Sequence, residues 1–137
     1  MTKEIYPRSL DDLGELSPAE QKVLEGACAG QPVVLGDGER PDGPSEERTI
    51  RAGLIRLLLQ GGCDGHQTHE KGVEVLGAYV DGVLDLEGCV GLGPLMPANC
   101  RFSDAIIARN AEMRALILNG SAVPARYAPG AKITGDV

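Results

Sequence analysis

The chain has 137 residues with 3% aromatics and no Trp, so a core must be built from Leu, Val, Ile, Ala and Cys. Thirteen Lys and Arg against 20 Asp and Glu leave a net charge of −7, the wrong sign for a surface that gains affinity by releasing counterions from phosphate, and no nucleic-acid partner is expected. No apolar run approaches the roughly 18 residues that span a bilayer, and the opening MTKEIYPRSLDD lacks the apolar core of a signal peptide. We therefore expect a cytoplasmic chain, with any membrane association left to regions outside these residues.

Leu16-Ser17-Pro18-Ala19-Glu20 has the pattern of a helix start: Ser at the cap, Pro at the first helical position and Glu three after the cap. It predicts a helix from about Ser17 to Cys28, with Val23, Leu24, Ala27 and Cys28 on one stripe and Gly30 past the end. Gly36 to Pro44 (GDGERPDGP) is turn chemistry and predicts an exposed loop. A second helix is expected from Ser45 to about residue 60, with Glu46 and Glu47 in its first turn and Gly61-Gly62 as its stop. Ile50, Leu54, Leu57 and Leu58 make its apolar stripe, while Arg48, Arg51 and Arg56 take other angles. Three arginines on one helix could form an anion site; a solvated face, with stems lying over apolar surface, is the favoured reading.

Between the halves, Cys63-Asp64-Gly65-His66-Gln67-Thr68-His69 holds both histidines of the chain and a thiol at C-x2-H-x2-H spacing. Cys63, His66 and His69 are ligand types that zinc accepts, and Glu70 or Asp64 could complete four. A plain polar loop joining the halves is the preferred alternative, because zinc sites usually carry tighter signatures.

From residue 73 the helical period gives way to blocks of 10 or 11 residues: VEVLGAYVDG, VLDLEGCVGLG, PLMPANCRFSD, AIIARNAEMR and ALILNGSAVP. Each contains Gly or Asn followed by a small residue: Gly77-Ala78, Gly88-Cys89, Asn99-Cys100, Asn110-Ala111, Gly120-Ser121. So short a unit cannot bury its apolar side chains alone and must stack on copies of itself. Gly and Asn turn cheaply, and the flanking Val, Leu and Ile suit short strands. Two blocks per coil would place small residues 21 or 22 apart in ladders: Ala78, Cys100 and Ser121 in one, Cys89 and Ala111 in another.

The pairs Ala78 and Val80, Cys100 and Phe102, Ala105 and Ile107, Ala111 and Met113, and Leu116 and Leu118 carry a resemblance to pentapeptide-repeat, quadrilateral β-helix proteins. The N-terminal half, with LSPAE, a Gly/Asp/Pro loop and ERTIRAGLIRLLL, narrows it to bacterial repeat proteins commonly labelled membrane-associated oxidoreductases. The fold expected is mainly β with an α N-terminal cap: two helices at about 17 to 28 and 45 to 60, packed on a short right-handed β-helix of about 10 to 11 residues per half coil. The expected organisation is a helical capping region over 1–62 with a loop at 29–45, a linker loop over 63–72 and coils over 73–137. Leu54, Leu57 and Leu58 should meet Val75, Leu76 or Val80.

Cofactor signatures are absent from the sequence. Gly88 to Gly93 (GCVGLG) has the wrong spacing for a dinucleotide loop and reads as corner glycines, and Gly-Lys-Ser/Thr does not occur. The cysteines at 28, 63, 89 and 100 lack C-x-x-C spacing and are expected as free thiols, Cys89 and Cys100 as compact hydrophobes. Asp81, Asp85, Glu87, Asp104 and Glu112 alternate with apolar residues and should line an outer face. The functional expectation is a binding or scaffold module without catalysis, engaging a protein partner or its own copy through an open coil edge. The alternative, implied by the resemblance, is the N-terminal part of an oxidoreductase whose catalytic or membrane region lies beyond Val137.

Overall fold

The computed structural model describes residues 7–63, 66–91 and 93–133. A short 3-10 turn (Leu10–Leu13) leads to α1 (Pro18–Ala29). The Ser17 hydroxyl accepts the Glu20 N–H, and the Glu20 carboxylate accepts the Ser17 N–H, the reciprocal cap that the sequence predicts. Val23, Leu24 and Ala27 are buried on the inner stripe of the helix. The strand β1 (Val33–Val34) follows.

The second helix starts later than expected. Ser45 closes a single turn, its carbonyl accepting from the N–H groups of Arg48 and Thr49, and Thr49–Arg51 then runs extended as β2. Helix α2 is only Ala52–Leu59. The β-branched Thr49 and Ile50 suit a strand, and Ile50 lies opposite Val80 in the core instead of extending a helical stripe. Within α2 every residue except Arg56 is buried, so α2 is a core helix and not an amphipathic lid.

The remaining strands are β3 (Gly62–Cys63), β4 (His66–Gln67), β5 (Val73–Leu76), β6 (Tyr79–Asp81), β7 (Leu84–Asp85), β8 (Leu95–Ala98), β9 (Arg101–Phe102), β10 (Ile106–Ile107), β11 (Glu112–Met113), β12 (Arg126–Tyr127) and β13 (Lys132–Ile133). Among the described residues they form four small parallel sheets, β1-β5-β8, β2-β6-β9, β7-β10-β12 and β11-β13, and one antiparallel ribbon, β3-β4.

This corrects the expected β-helix. The parallel strands stay in four separate sheets, none of which forms a solenoid. The physical reason lies in strand length and spacing. Among the described residues no strand exceeds four residues. The spacing between partners also drifts: Val73 faces Leu95, 22 residues on, but Ile106 faces Arg126, 20 on, and Thr49 faces Tyr79 across an intervening helix. Nor do the helices form an outer cap on a finished stack. Both β1 and β2, from the first half of the chain, share sheets with β5 and β6, and α2 packs against β7, β3, β2 and β5 from within. Leu54, Leu57, Leu58, Val75 and Val80 all belong to one buried cluster, while Leu76 is half-buried.

The small residues nonetheless occupy the interior: Ala78, Cys100 and Ala111 are fully buried and Cys89 nearly so. Backbone bonds link them layer to layer, Arg101 N–H to Ala78 O, Ala122 N–H to Cys100 O and Glu112 N–H to Cys89 O, each at 2.8–2.9 Å. Corners are made by Asn99 and Asn110, both at positive φ (52° and 55°), and by glycines in neighbouring layers. The Asn99 Oδ1 occupies the space that a Cβ on Gly120 would need, and the Asn110 Oδ1 does the same at Gly130. No described helix is long and apolar enough to cross a membrane.

Candidate functional site

The two ends of the strand layers are finished differently. At the first layer, α1 lies against β1, β2 and β5 and supplies a side chain to the sheet edge. The Glu20 carboxylate accepts the backbone N–H of Arg51 at 2.9 Å, its Nε at 2.8 Å and its Nη2 at 3.0 Å, besides the Ser17 N–H. The Arg51 guanidinium also reaches the Leu13 carbonyl at 2.5 Å. The Glu20 side chain is 4% exposed. Burial raises its pKa, but the hydrogen bonds from Arg51 and Ser17 outweigh that and hold the carboxyl below the ordinary value. A cleft of about 530 Å³ opens beside the pair, between Glu15, Pro18, Glu46 and Thr49. Its charged floor is committed to closing a strand edge, so the cleft offers no spare buried charge to a ligand.

Among the described residues, the layer 115–133 is paired on one side and meets no strand on the other. The Leu95 N–H donates to Ala115 O, the Ile106 N–H to Ala125 O, the Ala108 N–H to Tyr127 O and the Lys132 N–H to Ala111 O. Alternate residues of a parallel strand address opposite neighbours, so the backbone groups of Leu116 and Arg126 and the N–H of Ile133 face away from the stack. Residues 124–130 are all exposed, and Tyr127 is 54% exposed with the Arg109 guanidinium 5.4 Å from its ring centroid. From Ala105 to Ile133 the chain carries Arg109, Arg114, Arg126 and Lys132 against the single acid Glu112, a basic end on an acidic molecule. Sequence reading missed this surface because it took charge as a whole-chain sum; counting by segment would have found it.

The three arginines expected on a solvated helix face serve as ties instead. Arg51 is described above. Arg48 binds Asp37 at 2.5 Å and the Glu39 and Gly77 carbonyls, fastening the Gly36 to Pro44 loop to the sheets. Arg56 donates to the Asp85 carbonyl at 2.5 Å. Asp85 is a second correction: it is 8% exposed, its carboxylate accepting the Glu87 N–H, whereas Asp81, Glu87, Asp104 and Glu112 are exposed as expected.

For the zinc reading, Cys63 and His66 are opposite each other in the β3-β4 ribbon, but their side chains, with Asp64, lie outside the described residues. His69 is turned onto α1: its N–H donates to Ala27 O at 2.8 Å, its ring packs against Gly30, and its Nδ1 accepts the Lys71 N–H at 3.1 Å. Glu70 stands 3.5 Å from the same nitrogen. Among the described residues no three His, Cys, Asp or Glu side chains gather as metal ligands.

Cys89 and Cys100 are free thiols, as expected. Burial raises the Cys89 thiol despite nearby Arg56, and pushes Cys100 up to about 11. Both are protonated at neutral pH and shielded from reagents. In the folded protein, Ellman's reagent should leave Cys89 and Cys100 unmodified until denaturant is added; mapping of the labelled peptides checks it. No family model, curated protein or solved structure matches the chain.

Proposed function

We propose that the protein is a binding module without catalysis of its own, which takes an extended, acidic segment of another protein onto the outer edge of the layer 115–133. The observation that carries this reading is the asymmetry of the two ends. One edge is closed by α1 through Glu20; the other presents outward backbone donors and acceptors at Leu116 and Arg126, beside an exposed Tyr127. A strand added along β12 gains main-chain hydrogen bonds at Arg126, and acidic side chains on it pair with Arg126, while Lys132, in the separate β11-β13 sheet, adds a longer-range attraction. A second copy is disfavoured in either direction: edge to edge, it sets Arg126 and Lys132 against their own kind, and edge to front, it meets α1 in the way.

Titration of the isotopically labelled chain with a short capped peptide of alternating Thr and Glu tests the proposal. Amide shifts are expected at Arg126, Tyr127 and their neighbours along β12, weakening as salt is raised. A peptide of alternating Thr and Lys should produce none, and the double variant Arg126→Glu, Lys132→Glu should exchange the two preferences. Shifts confined to other residues, or equal response to both peptides, would overturn the assignment.

A further inference from the structure

We propose that Asn119 is a self-modifying position: the Gly120 nitrogen closes on the Asn119 side-chain amide, and the residue passes through a cyclic imide to aspartate and isoaspartate. The chain has three asparagines, and the fold treats the third unlike the others. The reaction requires the backbone nitrogen that follows Asn to lose its proton and reach the side-chain Cγ. After Asn99 that nitrogen belongs to buried Cys100 and donates to Ser121 Oγ at 3.0 Å. After Asn110 it belongs to buried Ala111 and donates to Ala108 O at 3.1 Å. Both side chains are also held in place: Asn99 Nδ2 donates to Gly38 O at 3.3 Å, and the two Oδ1 atoms press on Gly120 and Gly130.

Among the described residues, Asn119 is held only through backbone carbonyls, its own and that of Gly120, which accepts Arg40 Nη1 at 3.1 Å. It is exposed, and its side chain makes no hydrogen bond among the described residues. Its carbonyl points into the stack, accepting the Asn99 N–H at 2.9 Å. Because the peptide bond is trans, the Gly120 N–H on the other side of that bond points away from the Asn99 layer. Hydroxide or water takes the Gly120 proton, the nitrogen forms a bond to Cγ, and the side-chain amide leaves as ammonia. Water then opens the five-membered imide at one of two carbonyls. Cleavage at Cγ restores the main chain with aspartate at 119. Cleavage at the backbone carbonyl leaves the chain running through Cγ as isoaspartate. The net change is amide plus water to carboxylate plus ammonium, with no redox partner. The new carboxylate lies beside Arg126, which lines the same small polar hollow as Asn119, and it lowers the positive charge of the edge.

The test is incubation of the folded chain at mildly alkaline pH in water enriched in heavy oxygen, followed by peptide mapping, with a synthetic peptide of sequence LILNGSAV as the reference. The expected result is label at residue 119 in two products, isoaspartate the more abundant, accumulating over days at a rate comparable with the peptide's, while Asn99 and Asn110 stay intact. The isoaspartyl fraction should also show faster exchange of the Asn99 amide, whose acceptor the longer main chain displaces; Asn119→Asp, with the charge alone, should not. A folded chain that keeps Asn119 intact while the peptide converts overturns the proposal. So does conversion of Asn99 or Asn110 at the same pace.

Discussion

Arg51→Ala should destabilise the fold by about 3–5 kcal/mol, because it leaves the Glu20 carboxylate buried without its counter-charge. The Glu20 side chain is 4% exposed and takes three of its four hydrogen bonds from Arg51, so water cannot readily replace the lost partner. The backbone N–H of residue 51 remains as a donor, which is why the loss should stay within that range. Denaturant midpoints of the two proteins measure it. A cost below about 1 kcal/mol, the size of a surface pair, would show that the carboxylate is solvated. The same group fixes a pH response. Its folded pKa lies below the unfolded value of 4.5, so the stabilisation is fully present above that value and is lost as pH falls through the folded one. Wild type should therefore lose stability on the acid side, and Arg51→Ala should show a shallower acid limb, since its unpaired carboxylate gains from protonation.

Gly72→Ala should cost about 2–5 kcal/mol, the sum of a left-handed backbone at a residue with a Cβ and an overpacked contact. Gly72 has φ +84°, and its Cβ would collide with the Pro94 carbonyl oxygen and come 2.7 Å from the Pro94 nitrogen. Gly93, one residue earlier, is equally tight: its Cβ would stand 2.6 Å from Glu70 O and 2.8 Å from the Gly72 Cα. Two backbones therefore touch at 72 and 93, where the Val73 N–H binds Pro94 O at 2.9 Å. Gly88→Ala provides the comparison, with φ +70° and nothing within 4 Å of the new Cβ, so it should show only the conformational part, about 1–2 kcal/mol. Equal losses at the two positions would mean that the strands at 72 and 94 move apart at no cost.

What the sequence discloses here is what local chemistry decides. The Ser17 and Glu20 cap depends on residues three apart, and it is present atom for atom. The Gly and Asn corners depend on single-residue backbone preferences, and Asn99 and Asn110 adopt them. The failures fall where a distant partner decides. Ser45-Glu46-Glu47 imitates a helix start, yet Thr49 to Arg51 pairs with Tyr79 to Asp81 and the helix waits until Ala52. Arg51 looks like a surface residue until Glu20, far behind it in the chain, is set beside it. Block similarity also suggested one continuous β-helix, because repetition by eye is insensitive to the drift in spacing that divides these strands into separate sheets. The basic edge was legible in principle, from the positions of Arg109, Arg114, Arg126 and Lys132, though whether such a segment ends a stack depends on its neighbours.

The corner contacts at Asn99 and Asn110 tie the side chain at one corner to the residue that faces it. Each asparagine oxygen lies where a Cβ on the facing glycine would stand, so glycine leaves that side chain undisturbed. Alanine at Gly120 or Gly130 would have to push only the tip of a side chain aside, so the two positions are matched in volume and exchanges at one should favour a smaller or turned side chain at the other.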